Sequence, residues 1–518
     1  MIPGPYRNIA LIGFMGSGKS TLAGQLAERL GWDVADSDAE VEREAGKPIA
    51  RIFMEDGEAV FRELEERAVV RLTEQVDVVI ALGGGAITSP VTRERLRDGS
   101  FTVLLDVSVQ TAWRRIEAEA DDRPLAVEAR GFAELYEQRR PLYHAAADAL
   151  VDAEQLEGGE PLLVPLSRPA ALAEVPRLVG ARRAALIADR AVLRLVGAPV
   201  EPLVTVRLPV GEAAKTVAVA RQAWTRLADL GLERGDVVVG LGGGAATDAA
   251  GFVAATYQRG VPWIAAPTSL VGMVDAAIGG KTGIDLPGAK NYVGAFHPAE
   301  WVVTDPGLLE TLPVREWACG FAEVIKTGLL AGGRLWEMVQ AWEPGRGATE
   351  QRLELIRRCA AYKAHVVSVD PREQGVRAVL NLGHSIGHAI EAAAGFTGIA
   401  HGEAVAVGLL PALWLSAKVA GLDPSLEADV RELLRRHELP TGFAGVDAAV
   451  VREALRRDKK SVEGRVRFVL LEQVGKPVWG VDVDDELIDL AIGRGGGGGG
   501  GPPPPRAAAP RPAPRPPP

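Results

Sequence analysis

The chain has 518 residues, 47% of them hydrophobic and 24% charged, so its composition is globular and, at roughly 150 residues per domain, it has room for two to four domains. A net charge of −10 excludes general binding to nucleic acid or membrane surfaces, although an acidic whole still accommodates a basic pocket for a small anion. Two cysteines, Cys319 and Cys359, make no disulfide framework, MIPGPYR lacks a signal-peptide pattern, and no uncharged apolar run of about 18 residues occurs; we expect a cytoplasmic protein with no membrane or nucleic-acid partner.

In chain order, the apolar runs IALIGF, VVIALG and TVLLDV alternate with helix-like stretches such as Ser20 to Leu30. This predicts an α/β domain with a parallel sheet over residues 1–164. Residues 165–180 read as a linker. The strand candidates ALIAD, TVRLPV, DVVVGLG and VPWIAAP then predict a second α/β unit over 181–305. Long amphipathic stretches, among them Glu350 to Asp370 and Ser425 to Glu438, predict a mainly helical subdomain over 306–492. The glycine- and proline-dense 493–518 cannot bury a core and reads as a disordered tail.

Two stretches nearly coincide: DVVIALGGGA at Asp77 to Ala86 and DVVVGLGGGA at Asp236 to Ala245 match at eight of ten positions. Either one unit is duplicated, or the same backbone solution serves two different sites.

The first chemical motif is Gly13-x-x-x-x-Gly18-Lys19-Ser20, between an apolar strand and a helix, the context a phosphate-binding P-loop requires. Backbone N–H groups over Gly16, Ser17, Gly18 and Thr21 would face phosphate, Lys19 would reach the terminal phosphates, and Ser20 would bind Mg²⁺. Asp36-Ser37-Asp38, Phe61-Arg62-x-x-Glu65, Gly83-Gly84-Gly85, Arg123-Pro-Leu and Arg139-x-Pro-Leu-Tyr143 follow in order. Together these resemble the shikimate kinases through nearly all of residues 7–155. The resemblance implies ATP with Mg²⁺ as cofactor, Asp36 near the metal, and Asp38 orienting or deprotonating the attacking hydroxyl. It also implies that Arg62 and Arg139 clamp the substrate carboxylate beside Gly83, Gly84 and Gly85, and that Arg123 stabilises the transferring phosphoryl group from a lid.

In the second unit the glycines run on as Gly242-Gly243-Gly244-Ala-Ala-Thr-Asp248, a weak dinucleotide signal by itself. Downstream lies Asn381-Leu-Gly-His384-Ser-Ile-Gly-His388, then His401-Gly-Glu403. Histidines at i and i+4 share a helical face, so spacing nominates His384 and His388 as a metal pair. With PVGEAAKT, YQRG, PTSLVGMVDAAIGGKTG, KNYVGAFHP, GFAEVIKTG and RDKKS, these segments resemble 3-dehydroquinate synthase over roughly 185–480. The resemblance revises the spacing argument: it implies Glu323, His384 and His401 as ligands of Zn²⁺, with Co²⁺ as the alternative ion, and His388 facing substrate. It implies NAD contacts at Glu212, Lys215, Gly243, Gly244, Asp248, Thr268, Ser269, Lys281 and Lys290. A heptulosonate phosphate would be handled by Asp275, Lys281, Lys290, Asn291, Lys326, Lys363, Arg377, Asn381 and His388, with Lys459 or Lys460 completing the pocket. Arg259 would come from the other subunit of a homodimer. The segment ahead of PVGE departs from the family: the opening strand hairpin is not recognisable, and Asp189 stands where the adenosine contacts are expected.

The whole therefore reads as a bifunctional fusion of two enzymes of aromatic biosynthesis, acting on small molecules. The alternatives are a kinase joined to another sugar-phosphate cyclase or a polyol dehydrogenase, and a scaffold with one inactive half.

Overall fold

A computed structural model describes residues 6–117, 129–154, 165–287, 289–395, 398–443, 446–456, 461–462 and 465–496. In the amino-terminal unit, strands β1 (Asn8–Ile12), β2 (Asp33–Asp36), β3 (Val78–Ala81), β4 (Ser100–Asp106) and β5 (Ala149–Asp152) form one parallel sheet in the order β2-β3-β1-β4-β5. The central strands β1 and β3 are buried at every position, as uninterrupted apolar runs demand when helices cover both faces.

The second sheet is also parallel and has six strands: β6 (Leu166–Ser167), β7 (Ala184–Asp189), β8 (Val204–Leu208), β9 (Val237–Gly242), β10 (Trp263–Pro267) and, after a hairpin, β13 (Trp301–Thr304). Their order is β6-β13-β10-β9-β7-β8. The chain moves from β7 outward to β8, then returns to the other side of β7 as β9. The carboxyl ends of β7 and β9 therefore flank a topological switch point, where α/β sheets open a crevice for ligands. The intervening hairpin pairs β11 (Lys281–Leu286) with β12 (Ala289–Phe296).

Residues 165–180 differ from the expected linker. Leu166–Ser167 pairs with Val303 and Thr304, Val175–Val179 is a short helix, and Leu166, Val175 and Leu178 are buried. Proline-rich composition hid the apolar residues that dock this segment. It also joins the two units: Ser167 N–H donates to the Asp148 carbonyl at 2.8 Å, linking the edge of one sheet to the edge of the other. One continuous apolar cluster runs from Phe101 and Leu150 to Trp301, Leu186 and Ile264.

The carboxyl-terminal part is built on helices Val314–Ala331, Thr349–Val369, His384–Ala393, His401–Val419 and Asp485–Gly496. It also contains antiparallel strands that the helical reading missed: β14 (Ser461–Val462), β15 (Arg465–Gln473) and β16 (Lys476–Asp482). Among the described residues one helix, His401–Val419, is long and apolar enough to cross a membrane, but 72% of it is buried inside the protein as a core helix. The Thr349–Val369 helix packs on both units. Its Glu354 pairs with Arg140, its Arg358 with Asp106 at 2.7 Å, and its Lys363 with Asp275 at 2.5 Å.

Candidate active sites

Strand β1 runs into the Gly13–Gly18 loop, and the Lys19–Leu30 helix starts with Gly18 in the left-handed region (φ 86°) as its N-cap. No side chain caps that helix, so its first N–H groups remain available to an anion. Ser17 is buried in the loop, and Thr21 sits in the first helical turn. Lys19 Nζ donates to the carbonyls of Gly13 (3.0 Å) and Phe14 (3.1 Å), folded over the loop. Ser20 Oγ donates to Asp36 Oδ2 at 2.8 Å, so the hydroxyl and carboxylate expected at Mg²⁺ are adjacent. The other Asp36 oxygen caps the Ser37–Ala45 helix through Asp38 N–H at 2.9 Å, which fixes Asp38 beside it.

The three glycines after β3 meet these side chains from the other side. A Cβ on Gly83 would collide with Asp38 and Glu65, and one on Gly85 would collide with Arg62. Side chains gather against bare backbone here. Arg139 donates to the Gly84 carbonyl at 3.1 Å and is buried. Arg62 donates to Glu65 at 2.5 Å. Burial raises the Glu65 carboxyl, and Arg62 opposes that shift. Two guanidinium groups thus converge beside Asp38. Arg123 lies outside the described residues.

In the second unit, β9 ends at Gly242 (φ 148°), where a Cβ would stand 2.7 Å from that of Ala246 and 3.0 Å from that of Asp189. Gly243 then caps the Gly244–Thr256 helix without any side-chain bond. Thr268 N–H donates to the Gly242 carbonyl at 2.8 Å, which places Thr268 and Ser269 over the same turn. Asp189 is used locally: its Oδ1 caps the Arg190–Val196 helix through Ala191 N–H at 2.7 Å. Lys215 is buried and paired with Asp248 at 2.7 Å, and it also donates to Asn291. Burial works against charge on Lys215, but Asp248 and Glu212 hold its ammonium above the usual lysine range. Glu212 lies 4.0 Å from Lys215 Nζ with its side chain largely exposed.

Four groups meet between the His384–Ala393, His401–Val419 and Val314–Ala331 helices. His384, His388 and His401 bring one ring nitrogen each to within 4.8 Å of one another. Glu323 is fully buried, and neither of its oxygens accepts a hydrogen bond of normal geometry. His384 Nε2 lies 3.5 Å and His401 Nε2 3.3 Å from its Oε1, while Lys326 Nζ lies 2.6 Å from Oε2 as an ion pair. The Nδ1 atoms of the two histidines are engaged elsewhere, His384 with the Leu382 carbonyl and His401 with Glu391, each at 3.2 Å. Burial pushes His384 below the usual histidine range. It acts the same way on His401, but Glu323 and Glu391 together push that imidazole up to about 10. One carboxylate short of hydrogen bonds and two imidazoles presenting Nε2 suit Zn²⁺ or Co²⁺, either of which competes with the His401 proton. Spacing singled out His384 and His388; the structure brings His401 to the same cluster, next to Glu323.

Several of the remaining residues are held by partners of their own. Burial alone would raise Asp275, but Lys326 and Lys363 pull it down to about 2. Lys290 pairs with Glu391 at 3.0 Å. Lys281 pairs with Glu373, which also accepts from Asn381 at 3.0 Å. Arg377 is buried and donates to the carbonyls of Pro371 (2.6 Å) and Gly279 (2.9 Å), so here it braces two loops. Arg259 stands apart, in the left-handed region (φ 66°) at the tip of a short turn. Lys459 and Lys460 lie outside the described residues.

Comparisons with known proteins identify the kinds of domain in the chain. Residues 15–160 match the shikimate kinase family model, 205–319 match the amino-terminal model of 3-dehydroquinate synthase, and 320–461 match its carboxyl-terminal model. A 3-dehydroquinate synthase of Thermobifida fusca is 44% identical over 333 residues, covering 61% of this chain and 89% of the relative. The chain belongs to the 3-dehydroquinate synthase family. It carries a shikimate kinase half ahead of the synthase half, and thus combines a kinase with a cyclase/lyase. Among solved structures, 2-deoxy-scyllo-inosose synthase complexed with carbaglucose-6-phosphate, NAD⁺ and Co²⁺ is similar at 26% identity and a TM-score of 0.57, covering 63% of this chain and 95% of that one. ValA, a 2-epi-5-epi-valiolone synthase from Streptomyces hygroscopicus with NAD⁺ and Zn²⁺, is similar at 28% identity and the same TM-score, covering 63% and 94%.

Three acidic residues of these sites were not among the sequence candidates. Glu391 lies seven residues after His384, on the same helical face, and that spacing was the available signal. Glu373 precedes Arg377 by four residues in an irregular loop, and only contact with Lys281 and Asn381 singles it out. Glu65 was visible in the Phe61-Arg62-x-x-Glu65 motif, where i,i+3 spacing sets it against Arg62.

Proposed function

We propose that the chain catalyses two reactions of one pathway: ATP-dependent phosphorylation of shikimate at its 3-hydroxyl, and conversion of 3-deoxy-arabino-heptulosonate 7-phosphate to 3-dehydroquinate with release of phosphate. In the kinase half, the Gly13–Gly18 loop and Lys19 would hold the ATP phosphates, and Ser20, with Asp36 nearby, would hold Mg²⁺. Arg62 and Arg139 take the shikimate carboxylate, which aims the hydroxyl at Asp38 for proton removal. The observation that carries this reading is the convergence of Arg62, Arg139 and Asp38 on the Gly83–Gly85 backbone.

In the synthase half, the Gly242–Gly244 turn, Lys215 and Asp248 would hold NAD. Glu323, His384 and His401 would hold Zn²⁺ or Co²⁺. When bound, NAD supplies reversible hydride acceptance and the ion supplies Lewis acidity. Lys281 and Lys290 would neutralise the phosphate and carboxylate of the substrate, and Asn291 and Asn381 would hydrogen-bond to it. Lys363, Asp275 and Lys326 form a charged network, and His388 stands beside His384; together these groups would move protons as the phosphate leaves. The carrying observation is Glu323, buried without normal hydrogen bonds between two imidazoles whose outer nitrogens are already anchored.

A second reading, a different sugar-phosphate cyclase, has the support of the two solved neighbours named above. The 44% identity to a 3-dehydroquinate synthase favours the first. We further infer a homodimer in which Arg259 enters the partner's pocket. Strand β12 of the hairpin exposes Tyr292, Val293 and Phe296, an apolar face that a second subunit would cover. The buried free thiols Cys319 and Cys359 accord with a cytoplasmic setting.

The test is incubation of the purified chain with NAD⁺, Zn²⁺ and the heptulosonate phosphate. Release of phosphate with 3-dehydroquinate in equal amount is expected. Phosphate released with a different carbocycle would favour the second reading, and steady NADH accumulation would indicate a dehydrogenase.

A further inference from the structure

We propose that Glu391 is a positioning residue that ties the metal centre to the substrate-binding lysine Lys290. The proposal rests on the synthase reading above and concerns a side chain outside the ligand set. Glu391 lies on the His384–Ala393 helix, at i+7 from His384 and i+3 from His388, so all three share one face. It is 2% exposed, where a carboxylate must be paired. Its two oxygens are divided between two elements: Oε1 is 3.0 Å from Lys290 Nζ on strand β12, and Oε2 is 3.2 Å from His401 Nδ1 on the next helix.

Each contact has a chemical consequence. A carboxylate at Nδ1 keeps a proton on that nitrogen, so Nε2, directed at Glu323, is the nitrogen that gives up its proton to a divalent ion. It also raises the donor strength of that nitrogen. The ion pair with Lys290 fixes the β11–β12 hairpin against the same helix. Lys290 and His401 are therefore held at a set separation through one side chain. A movement of the hairpin is transmitted to His401 through a single rigid carboxylate.

The test measures metal affinity of the full chain by competition for Co²⁺ against a chromophoric chelator, together with the visible spectrum of the Co²⁺ form. Glu391→Gln keeps the shape but cannot serve both partners as a charged acceptor. It should bind Co²⁺ roughly 10–100-fold more weakly and alter the spectrum, with shikimate phosphorylation by the same molecule unchanged. Glu391→Asp, which keeps the charge but shortens the reach, should fall between the parent and Glu391→Gln. It provides a second variant should the amide disturb folding. Parent-like affinity and spectrum in both variants, with His384→Ala having lost Co²⁺, would overturn the proposal while leaving the synthase reading standing. Equal and weak Co²⁺ binding by the parent and His384→Ala would overturn the synthase reading and this proposal with it.

Discussion

Arg357, on a helix of the synthase half, donates through Nη1 to the carbonyl of His144 in the kinase half at 2.7 Å. The same guanidinium also donates to the carbonyls of Ala147 and Ser167, and it is buried. Backbone carbonyls this deep need donors, so one synthase side chain completes the main-chain bonding of the kinase edge.

Arg357→Ala should therefore destabilise both halves together, by about 3 kcal/mol, because three buried carbonyls lose a charged donor. Calorimetry should record one cooperative transition in the parent chain. Two separated transitions in the parent would show that the halves unfold independently.

Gly85→Ala should raise KM for shikimate roughly tenfold or more, since the new methyl group displaces Arg62 from the bare backbone. Steady-state kinetics in both assays is the check. The synthase reaction should keep its parent rate.

The pH dependence of stability has a contributor at the end of β5. Burial, reinforced by Asp106, raises Asp152 to about 6. A carboxyl raised above its unfolded value of about 4 is a liability at high pH: the folded state resists the charge that the unfolded chain accepts readily. The penalty is full above about pH 6 and fades as the pH falls toward about 4. Asp152→Asn keeps the acceptor for Glu154 N–H and should gain about 1–2 kcal/mol at pH 8, with the gain shrinking on acidification. Thermal melts across that range test the sign.

Removal of metal should separate the activities. Chelation followed by return of Mg²⁺ alone should restore shikimate phosphorylation, whose proposed cation site is at the adjacent Ser20 and Asp36. The synthase reaction should return only with Zn²⁺ or Co²⁺.

Subunit mixing tests the dimer. Arg259→Ala and Lys363→Ala should each be inactive as synthases. Mixed in equal amounts and allowed to exchange, they should recover about a quarter of the parent rate, because each mixed dimer regains one intact site. No recovery despite proven exchange would contradict a partner-supplied Arg259.

What the sequence disclosed follows from the range of the interactions involved. The P-loop, the glycine turns and His384 were legible because local chain geometry and chemistry coincide within a few residues. Leu166–Ser167 was not, because an edge strand of two residues is defined only by its partners Val303 and Thr304. The β15–β16 hairpin was passed over because its apolar residues lie between amphipathic helices that dominate the local pattern. Glu373 and Glu391 acquire meaning only from Lys281, Lys290 and His401, up to 101 positions away. The two GGGA stretches resolve in the same way. The first is crowded by Asp38, Glu65 and Arg62, and the second by Ala246, Asp189 and Ser269. One backbone solution stands among two unrelated sets of side chains.

The central claim, two independent active sites in one chain, is tested most directly by paired assays on Lys19→Ala and His384→Ala. ADP release with shikimate and phosphate release with the heptulosonate phosphate are measured on the same preparations. The parent should perform both reactions, Lys19→Ala should lose only the first, and His384→Ala only the second. Absence of either reaction in the parent, or loss of both in a single variant that remains folded, would contradict it.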